Sequence, residues 1–193
     1  MKFTRAQLDA FRGATVPDLL GPETRLLFVG INPGLWTAAV QAHFAKRGNR
    51  FYPALYRAGI TDRLIDASAG YRPEDVVHLH ERGIGITNVV PAASARADEL
   101  TPDQLVAGGE DLLRRVRRIQ PRVVAVLGVT AYRAAFRRPK AVTGRQDEGL
   151  GGAELWVAPN PSGLTAHAQI GDLAAAYREI AVAAGIRVYR VPG

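Results

Sequence analysis

Cysteine is absent from this sequence of 193 residues, which excludes disulfide bonds, thiolate metal sites and cysteine nucleophiles. Histidine is scarce, and none of the four histidines shows the spacing of a zinc finger or a zinc protease: His43, His78, His80 and His167. We therefore expect no metal site and no cofactor.

Long apolar runs and an excess of acidic residues are also missing. Nowhere do about eighteen apolar residues follow one another, as a membrane helix requires, and residues 1–5 lack the apolar stretch of a secretion signal. These absences predict a soluble protein of the cytoplasm. The 18 acidic residues against 25 Lys and Arg give a net charge of +7, which favours a polyanionic partner such as nucleic acid. A basic surface without a particular partner fits the charge equally well.

Short apolar runs alternate with helical patterns along the chain. The runs are typical of strands covered on both faces and span residues 26–29, 84–87, 123–127 and 155–158, with 187–191 as a weaker edge strand. Helices are predicted at 53–58, 73–80, 102–120, 130–136 and 171–184, the third with a capping box at Thr101. Residues 35–50 and 137–152 are predicted to be irregular loops.

The alternation of strands and helices predicts an α/β fold. The expected architecture is a three-layer α/β/α sandwich around a mostly parallel sheet of four to five strands. A chain of 193 residues fits one domain, residues 1–193, in which residues 1–22 form an N-terminal helical extension.

Two asparagine loops follow predicted strands. Gly30-Ile31-Asn32-Pro33-Gly34 follows the first strand and Asn160-Pro161-Ser162-Gly163-Leu164 the fourth, so both are expected at the carboxyl edge of the sheet, where α/β proteins place their ligands. An amide at Asn32 can hold a water or contact a base edge, although a local turn in which Asn32 bonds its own backbone fits the pentapeptide equally well. The spacing matches neither a Walker motif nor a dinucleotide fingerprint.

Four ordered blocks carry a specific resemblance. They are the Gly30 to Leu35 segment, Asn49-Arg50-Phe51-Tyr52, Gly85-Ile86-Thr87-Asn88 and the Asn160 to Leu164 segment. Together they resemble the mismatch-specific uracil/thymine DNA glycosylase family of the uracil-DNA glycosylase superfamily, over about residues 25–177. The resemblance implies hydrolysis of the N-glycosidic bond of a flipped uracil opposite guanine, with thymine and ethenocytosine as further candidate substrates. The product is an abasic site in base excision repair, so the expected partner is double-stranded DNA and the protein is expected at the nucleoid when bound to it. One compact basic domain needs no partner subunit on DNA, so a monomer is expected.

The resemblance also implies roles around the first loop. Asn32 is expected to be catalytic by orienting the attacking water, because an amide is not a useful base at neutral pH. The expected substrate-binding residues are Ile31, Gly34, Thr37, Phe44, Asn49 and Asn88. Phe44 is expected to stack on the base, although it also fits a core position. Asp98 or Glu99 is a candidate to assist Asn32. No lysine in either loop suggests a Schiff base, so no lyase step is expected.

The second loop and a basic stretch are expected to contact DNA. The residues implied are Ser162, Gly163, Leu164, Thr165, His167 and Arg145. Leu164 matches the apolar wedge that fills the gap left by a flipped nucleotide, whereas Asn160 is expected to shape its turn. Arg145 belongs to a basic loop that suits phosphates or is simply solvated, and the arginines from Arg114 to Arg118 are expected on the exposed side of their helix. A rival function is a nucleic-acid-binding module of the same fold that has lost the chemistry.

Overall fold

A five-stranded sheet lies at the centre of the computed structural model, which describes residues 2–162 and 169–190. Its strands are β1 Leu26–Gly30, β2 Ile84–Asn88, β3 Val123–Leu127, β4 Gly144–Arg145 and β5 Glu154–Ala158. Their order is β2-β1-β3-β5-β4, parallel except for the pairing of β4 with β5. The mostly parallel α/β sheet predicted from the sequence is therefore confirmed.

Helices connect the strands and cover both faces of the sheet. They are α1 Arg5–Asp9, α2 Leu35–Val40, α3 Phe51–Arg57, α4 Pro73–Glu81, α5 Pro102–Ile119, α6 Val129–Ala135 and α7 Ile170–Ala183, with a short 3₁₀ turn at Ala97–Glu99. The predicted capping box is present, since Thr101 and Gln104 each accept from the other's backbone N–H. Within the described residues, no helix is both long enough and apolar enough to span a membrane.

Alternate side chains of β1 divide the core between the two faces. Leu26 and Phe28 pack with α3, α4 and α7, whereas Leu27 and Val29 pack with α5 and α6. This is the two-residue period of a strand that is buried on both sides. It explains why the strand segments are continuous apolar runs, and it gives the three layers of the predicted sandwich.

Three sequence predictions about local structure were wrong. Residues 187–190 are not a strand, because Tyr189 N–H donates to the carbonyl of Gly59 at 2.7 Å and the segment joins the end of α3 instead of the sheet. The edge strand is β4, inside a stretch predicted to be irregular. The other predicted loop, residues 35–50, begins with α2, whose Leu35 and Ala38 are buried against the N-terminal segment.

The predicted N-terminal extension is helical only over Arg5–Asp9. The residues that follow run beside the sheet. Gly13 N–H donates to the carbonyl of Ala93, Ala93 N–H donates to the carbonyl of Ala14, and Leu19 forms an antiparallel bridge to Ile86. The segment therefore forms one wall of the domain next to β2.

Candidate active site

A cleft of about 340 Å³ lies at the carboxyl edge of the sheet, between the loops after β1, β2 and β5. All seven residues predicted to act on a substrate line it: Ile31, Asn32, Gly34, Thr37, Phe44, Asn49 and Asn88. Asn160 and Ser162 line the opposite side. Parallel strands bring these residues together although they are far apart in sequence, as expected for the ligand edge of an α/β sheet.

Asn32 is held by the nitrogen of its side-chain amide. Nδ2 donates to Oγ of Ser94 at 2.8 Å and to the carbonyl of Ala92 at 3.1 Å, with a longer contact of 3.3 Å to the carbonyl of Pro33. The two shorter bonds reach a distant loop, so the local turn considered from the pentapeptide is not what forms. Oδ1 has no hydrogen bond to any described residue, which leaves it to accept one from a ligand or a water in the cleft.

Ser94 is a site residue that the sequence did not reveal. Its Oγ accepts from Asn32 and donates to the carbonyl of Arg96 at 2.7 Å, while its backbone N–H donates to the carbonyl of Pro33 at 3.1 Å. The residue is only 8% exposed. It ties the loop after β2 to the loop after β1, and a lone serine in a loop gives no sequence signal for such a role.

Phe44 packs on the core and also lines the cleft. Its ring stacks on Phe51, with centroids 4.1 Å apart and planes 27° from parallel. The ring and the Asn88 side chain both approach the end of β1: a Cβ at Gly30 would lie 3.2 Å from Cζ of Phe44 and 2.5 Å from Oδ1 of Asn88. The absence of a side chain at Gly30 therefore makes room for two cleft residues.

Asn88 is held by a buried histidine. Its Nδ2 lies 3.3 Å from Nδ1 of His43, whose Nε2 lies 2.9 Å from the carbonyl of Pro17. His43 is 1% exposed, and burial lowers the pKa of its imidazole because a charged ring would lose its hydration. From the sequence, His43 was considered only in excluding a metal site, and its contact with Asn88 was not predicted.

Arg115 supports Asn88 from the opposite face of the sheet. Its Nη2 donates to the carbonyl of Asn88 at 2.9 Å, its Nη1 contacts Oγ1 of Thr87, and its Nε donates to Asp111 at 2.8 Å. Only 14% of the side chain is exposed. The prediction that Arg115 lies on the exposed side of α5 is wrong, because it follows the buried Leu112 by three residues and shares its face.

The other predicted substrate residues occupy distinct positions in the cleft. Thr37 is buried on α2, and Gly34 is exposed at the start of that helix. Asn49 accepts from the backbone N–H of Phe51 at 2.9 Å, so its side-chain oxygen is occupied at the start of α3. Ile31 is half-buried, and its carbonyl accepts from Val90.

The second loop is shaped by its own asparagine. Oδ1 of Asn160 accepts from the backbone N–H of Ser162 at 2.9 Å, which is the turn predicted for a structural asparagine. Arg50 clamps this loop from the other side: its backbone N–H donates to the carbonyl of Pro161 at 3.0 Å and its Nη2 to that of Ser162 at 2.8 Å. The predicted DNA contacts Gly163, Leu164, Thr165 and His167 lie outside the described residues.

The charged candidates are largely paired. Asp98 lines the cleft but forms an ion pair with Arg96, whose Nε lies 3.0 Å from Oδ1. Glu99 pairs with Arg12 away from the cleft lining. Arg145 lies on β4, 3.2 Å from Glu154, and does not line the cleft.

The rest of the basic loop forms a separate groove. Arg137, Arg138 and Lys140 line a space of about 320 Å³ away from the cleft, and Arg138 is paired with Glu148. Across residues 2–162 and 169–190, no three acidic or histidine side chains gather in a way that suits a metal ion.

Residues 17–181, which include both asparagine loops, match the family model of the uracil DNA glycosylase superfamily. The chain belongs to this superfamily. The solution NMR structure of a candidate uracil DNA glycosylase from Methanosarcina acetivorans is similar in fold, with a TM-score of 0.54 and 17% sequence identity over 87% of this chain and 98% of that chain. Membership of the uracil DNA glycosylase superfamily supports DNA glycosylase activity in general, with DNA as the substrate.

Proposed function

We propose that this protein is a monofunctional mismatch DNA glycosylase that removes uracil opposite guanine, with thymine and ethenocytosine as further candidate bases. The observation that carries the proposal is the state of Asn32: its amide nitrogen is held by the segment that contains Ala92 and Ser94, and its oxygen is left without a described partner in the cleft. An amide held in this way is suited to orient a water molecule.

Hydrolysis requires the bond between the sugar C1′ and the base nitrogen to break. The bonding electrons leave with the base, a water oxygen bonds to C1′, and a water proton is released. Asn32 places the water but does not take its proton, since an amide is a very weak base. The described acid that lines the cleft, Asp98, is paired with Arg96. We therefore expect slow turnover, with positioning as the main catalytic effect.

Base flipping precedes this chemistry. Extruding a nucleotide costs a few kcal/mol and least at a mispair, which favours uracil opposite guanine over uracil paired with adenine. Phe44 supplies an aromatic ring, and base stacking on such a ring contributes roughly 1–3 kcal/mol. The net charge of +7 supports non-specific attraction to phosphates. Leu164 as the wedge, and Ser162 and Arg145 as backbone contacts, belong to the same proposal.

The direct test is single-turnover excision with a panel of oligonucleotides. Uracil, thymine and ethenocytosine are each placed opposite guanine, and uracil is also placed opposite adenine and in a single strand; alkali then cleaves each abasic site. We expect the fastest release from the G·U duplex. Equal rates for all uracil contexts would contradict the mismatch preference while leaving a uracil glycosylase in place.

A nucleic-acid-binding module is the second candidate function. The pairing of Asp98 with Arg96 favours it, because no described carboxylate in the cleft is left unpaired to take a proton from water. This candidate predicts retained binding to the G·U duplex with no alkali-sensitive product, even at enzyme excess and long incubation. Product formation by the natural protein but not by Asn32→Ala would eliminate it.

A further inference from the structure

The buried contact between His43 and Asn88 determines which atom of an amide faces the cleft. Nε2 of His43 lies 2.9 Å from the carbonyl of Pro17, and a carbonyl can only accept. Nε2 must therefore carry the proton. In a neutral imidazole the other nitrogen is then an acceptor, so Nδ1 accepts from Nδ2 of Asn88 at 3.3 Å.

The series of hydrogen bonds from Pro17 through His43 to Asn88 orients the Asn88 amide. With Nδ2 directed to His43, the oxygen Oδ1 lies beside Gly30, where it has no hydrogen bond to any described residue. One N–H of the same amide also remains for a ligand, since Nδ2 carries two hydrogens. Asn88 lines the cleft, so it offers one acceptor and one donor to a base.

The backbones of the two residues are held by hydrogen bonds, and the pairing of their side chains fixes the amide orientation. The backbone N–H of His43 donates to the hydroxyl of Tyr71 at 3.1 Å, and its carbonyl accepts from the hydroxyl of Tyr52 at 2.9 Å. The carbonyl of Asn88 is held by Arg115. Exchanging the oxygen and nitrogen of Asn88 would place two acceptors, Oδ1 and Nδ1, against each other in a buried site, which is unfavourable.

We infer that His43 is a positioning residue that fixes the amide of Asn88 so that the cleft selects a base with an imide N–H, uracil or thymine, over cytosine. The inference rests on the proposed function, because it takes Asn88 as a contact of the flipped base. Uracil offers N3–H to Oδ1 and a carbonyl oxygen to the remaining N–H. Cytosine presents an unprotonated N3, which would face Oδ1 as a second acceptor, so a site built for the imide rejects it. Ethenocytosine also lacks this N–H, so the inference places it below uracil and thymine among the candidate bases.

The first test needs no substitution. In the natural protein at pH 7.5, the ¹⁵N shifts of the His43 ring, assigned by long-range proton–nitrogen correlation, report which nitrogen carries the proton. We expect the neutral ring with the proton on Nε2. A proton on Nδ1, alone or in an imidazolium, would overturn the inference, because Asn88 would then have to present its nitrogen to the cleft.

The second test measures base selection by binding. Free uracil, 3-methyluracil and cytosine are titrated into the natural protein, His43→Phe and the matched control Tyr71→Phe. Phenylalanine removes the acceptor for Asn88, so the uracil-to-cytosine affinity ratio should fall by about 10-fold or more. Tyr71→Phe also removes a buried hydrogen bond to His43 but leaves its ring unchanged, so the ratio should stay the same.

A purely structural role for His43 has a different signature. In that case His43→Phe would lower the affinity for all three ligands by the same factor. The uracil-to-cytosine affinity ratio would stay unchanged, which would contradict the inference. Excision assays separate this result from the proposed function. If the natural protein selects uracil in binding but releases none from G·U DNA, the glycosylase proposal fails while the role of His43 stands. If the natural protein excises uracil and His43→Phe keeps the natural affinity ratio, the glycosylase proposal stands and the role of His43 is rejected.

Discussion

The two asparagine loops share an Asn-Pro pair but use the asparagine side chain in opposite ways. Asn32 is held through its nitrogen, by acceptors on a loop about sixty residues away in sequence. Asn160 is engaged through its oxygen, by a backbone N–H two residues further along. The surroundings therefore decide the role: distant acceptors leave the oxygen of Asn32 for a ligand, whereas a local donor occupies the oxygen of Asn160.

The two sides of the cleft also differ in how they are supported. Asn32 and Asn88 depend on side chains from other elements, namely the buried Ser94 and His43 and the mostly buried Arg115. The Asn160 loop is held by its own turn and by Arg50. Changes to the first set should therefore alter orientation and chemistry, whereas a change at Asn160 should mainly loosen a turn.

Replacing Asn32 should have the largest effect. In Asn32→Ala we expect excision of uracil from a G·U duplex to fall by about 10²-fold or more, as for the loss of a positioned catalytic group, while duplex affinity is retained. Single-turnover rates at enzyme excess and a direct binding titration measure the two quantities. Parallel loss of both would instead point to a role for Asn32 in holding the loop.

Arg115 tests the support beneath Asn88. Arg115→Met removes charged hydrogen bonds to the hydroxyl of Thr87 and the carbonyl of Asn88 and leaves these buried oxygens without that donor, so the free energy of unfolding should fall by about 2–3 kcal/mol. Arg114→Met is the matched control: its side chain is 67% exposed, and we expect a change within about 0.5 kcal/mol. Urea denaturation measures the free energy of unfolding of both variants. Equal losses of stability would refute the claim that Arg115, unlike Arg114, supports the fold beneath Asn88.

Ser94 tests how tightly Asn32 must be held. Ser94→Ala removes the shortest hydrogen bond to Nδ2 and leaves the one to the carbonyl of Ala92. One hydrogen bond contributes about 1 kcal/mol, so we expect the excision rate to fall by about 5-fold to 10-fold with little change in DNA affinity. Ser68→Ala, which changes a serine outside this cleft, is the control. Its excision rate should equal that of the natural protein.

The smallest expected effect is on pH dependence. Burial lowers the pKa of His43 below its usual value near 6.5, although the hydrogen bond to the carbonyl of Pro17 and the charge of Asp18 act in the opposite direction. As pH falls below about 6.5, the unfolded chain takes up the proton first, so the free energy of unfolding decreases until the folded pKa is passed. His78 shifts in the same direction and contributes equally to natural protein and variant.

The difference between the natural protein and His43→Phe isolates the contribution of His43. Between pH 7 and pH 5 the natural protein should lose more stability than the variant, with a slope of at most about 1.4 kcal/mol per pH unit for one proton. Urea denaturation at a series of pH values measures it. Parallel pH profiles would mean that the His43 ring is not kept neutral by the fold.

Features set by local sequence were predicted well. The four parallel strands are continuous apolar runs because both faces of the sheet are covered, and α5 begins at a capping box that satisfies its own first N–H groups. The structural role of Asn160 in its turn was also predicted, because its hydrogen-bond partner is only two residues away. The residues that line the cleft follow from strand order once the strands are placed.

Features set by distant contacts were not predicted. Strand β4 has two residues and exists through its pairing with β5. The C-terminal segment was expected in the sheet, but Tyr189 bonds to Gly59 instead. Ser94 and Arg115 look like an ordinary loop serine and surface arginine until the fold brings them to Asn32 and Asn88.

The most direct test of the two-loop account is one single-turnover experiment on a G·U duplex with Asn32→Ala and Asn160→Ala side by side. Loss of the Asn160 turn removes one local hydrogen bond, which should lower the rate by no more than about 10-fold. Loss of Asn32 should lower it by about 10²-fold or more. A gap of at least tenfold between the two variants is the predicted result. Equal losses, or a larger loss at Asn160, would contradict the assignment of water positioning to Asn32.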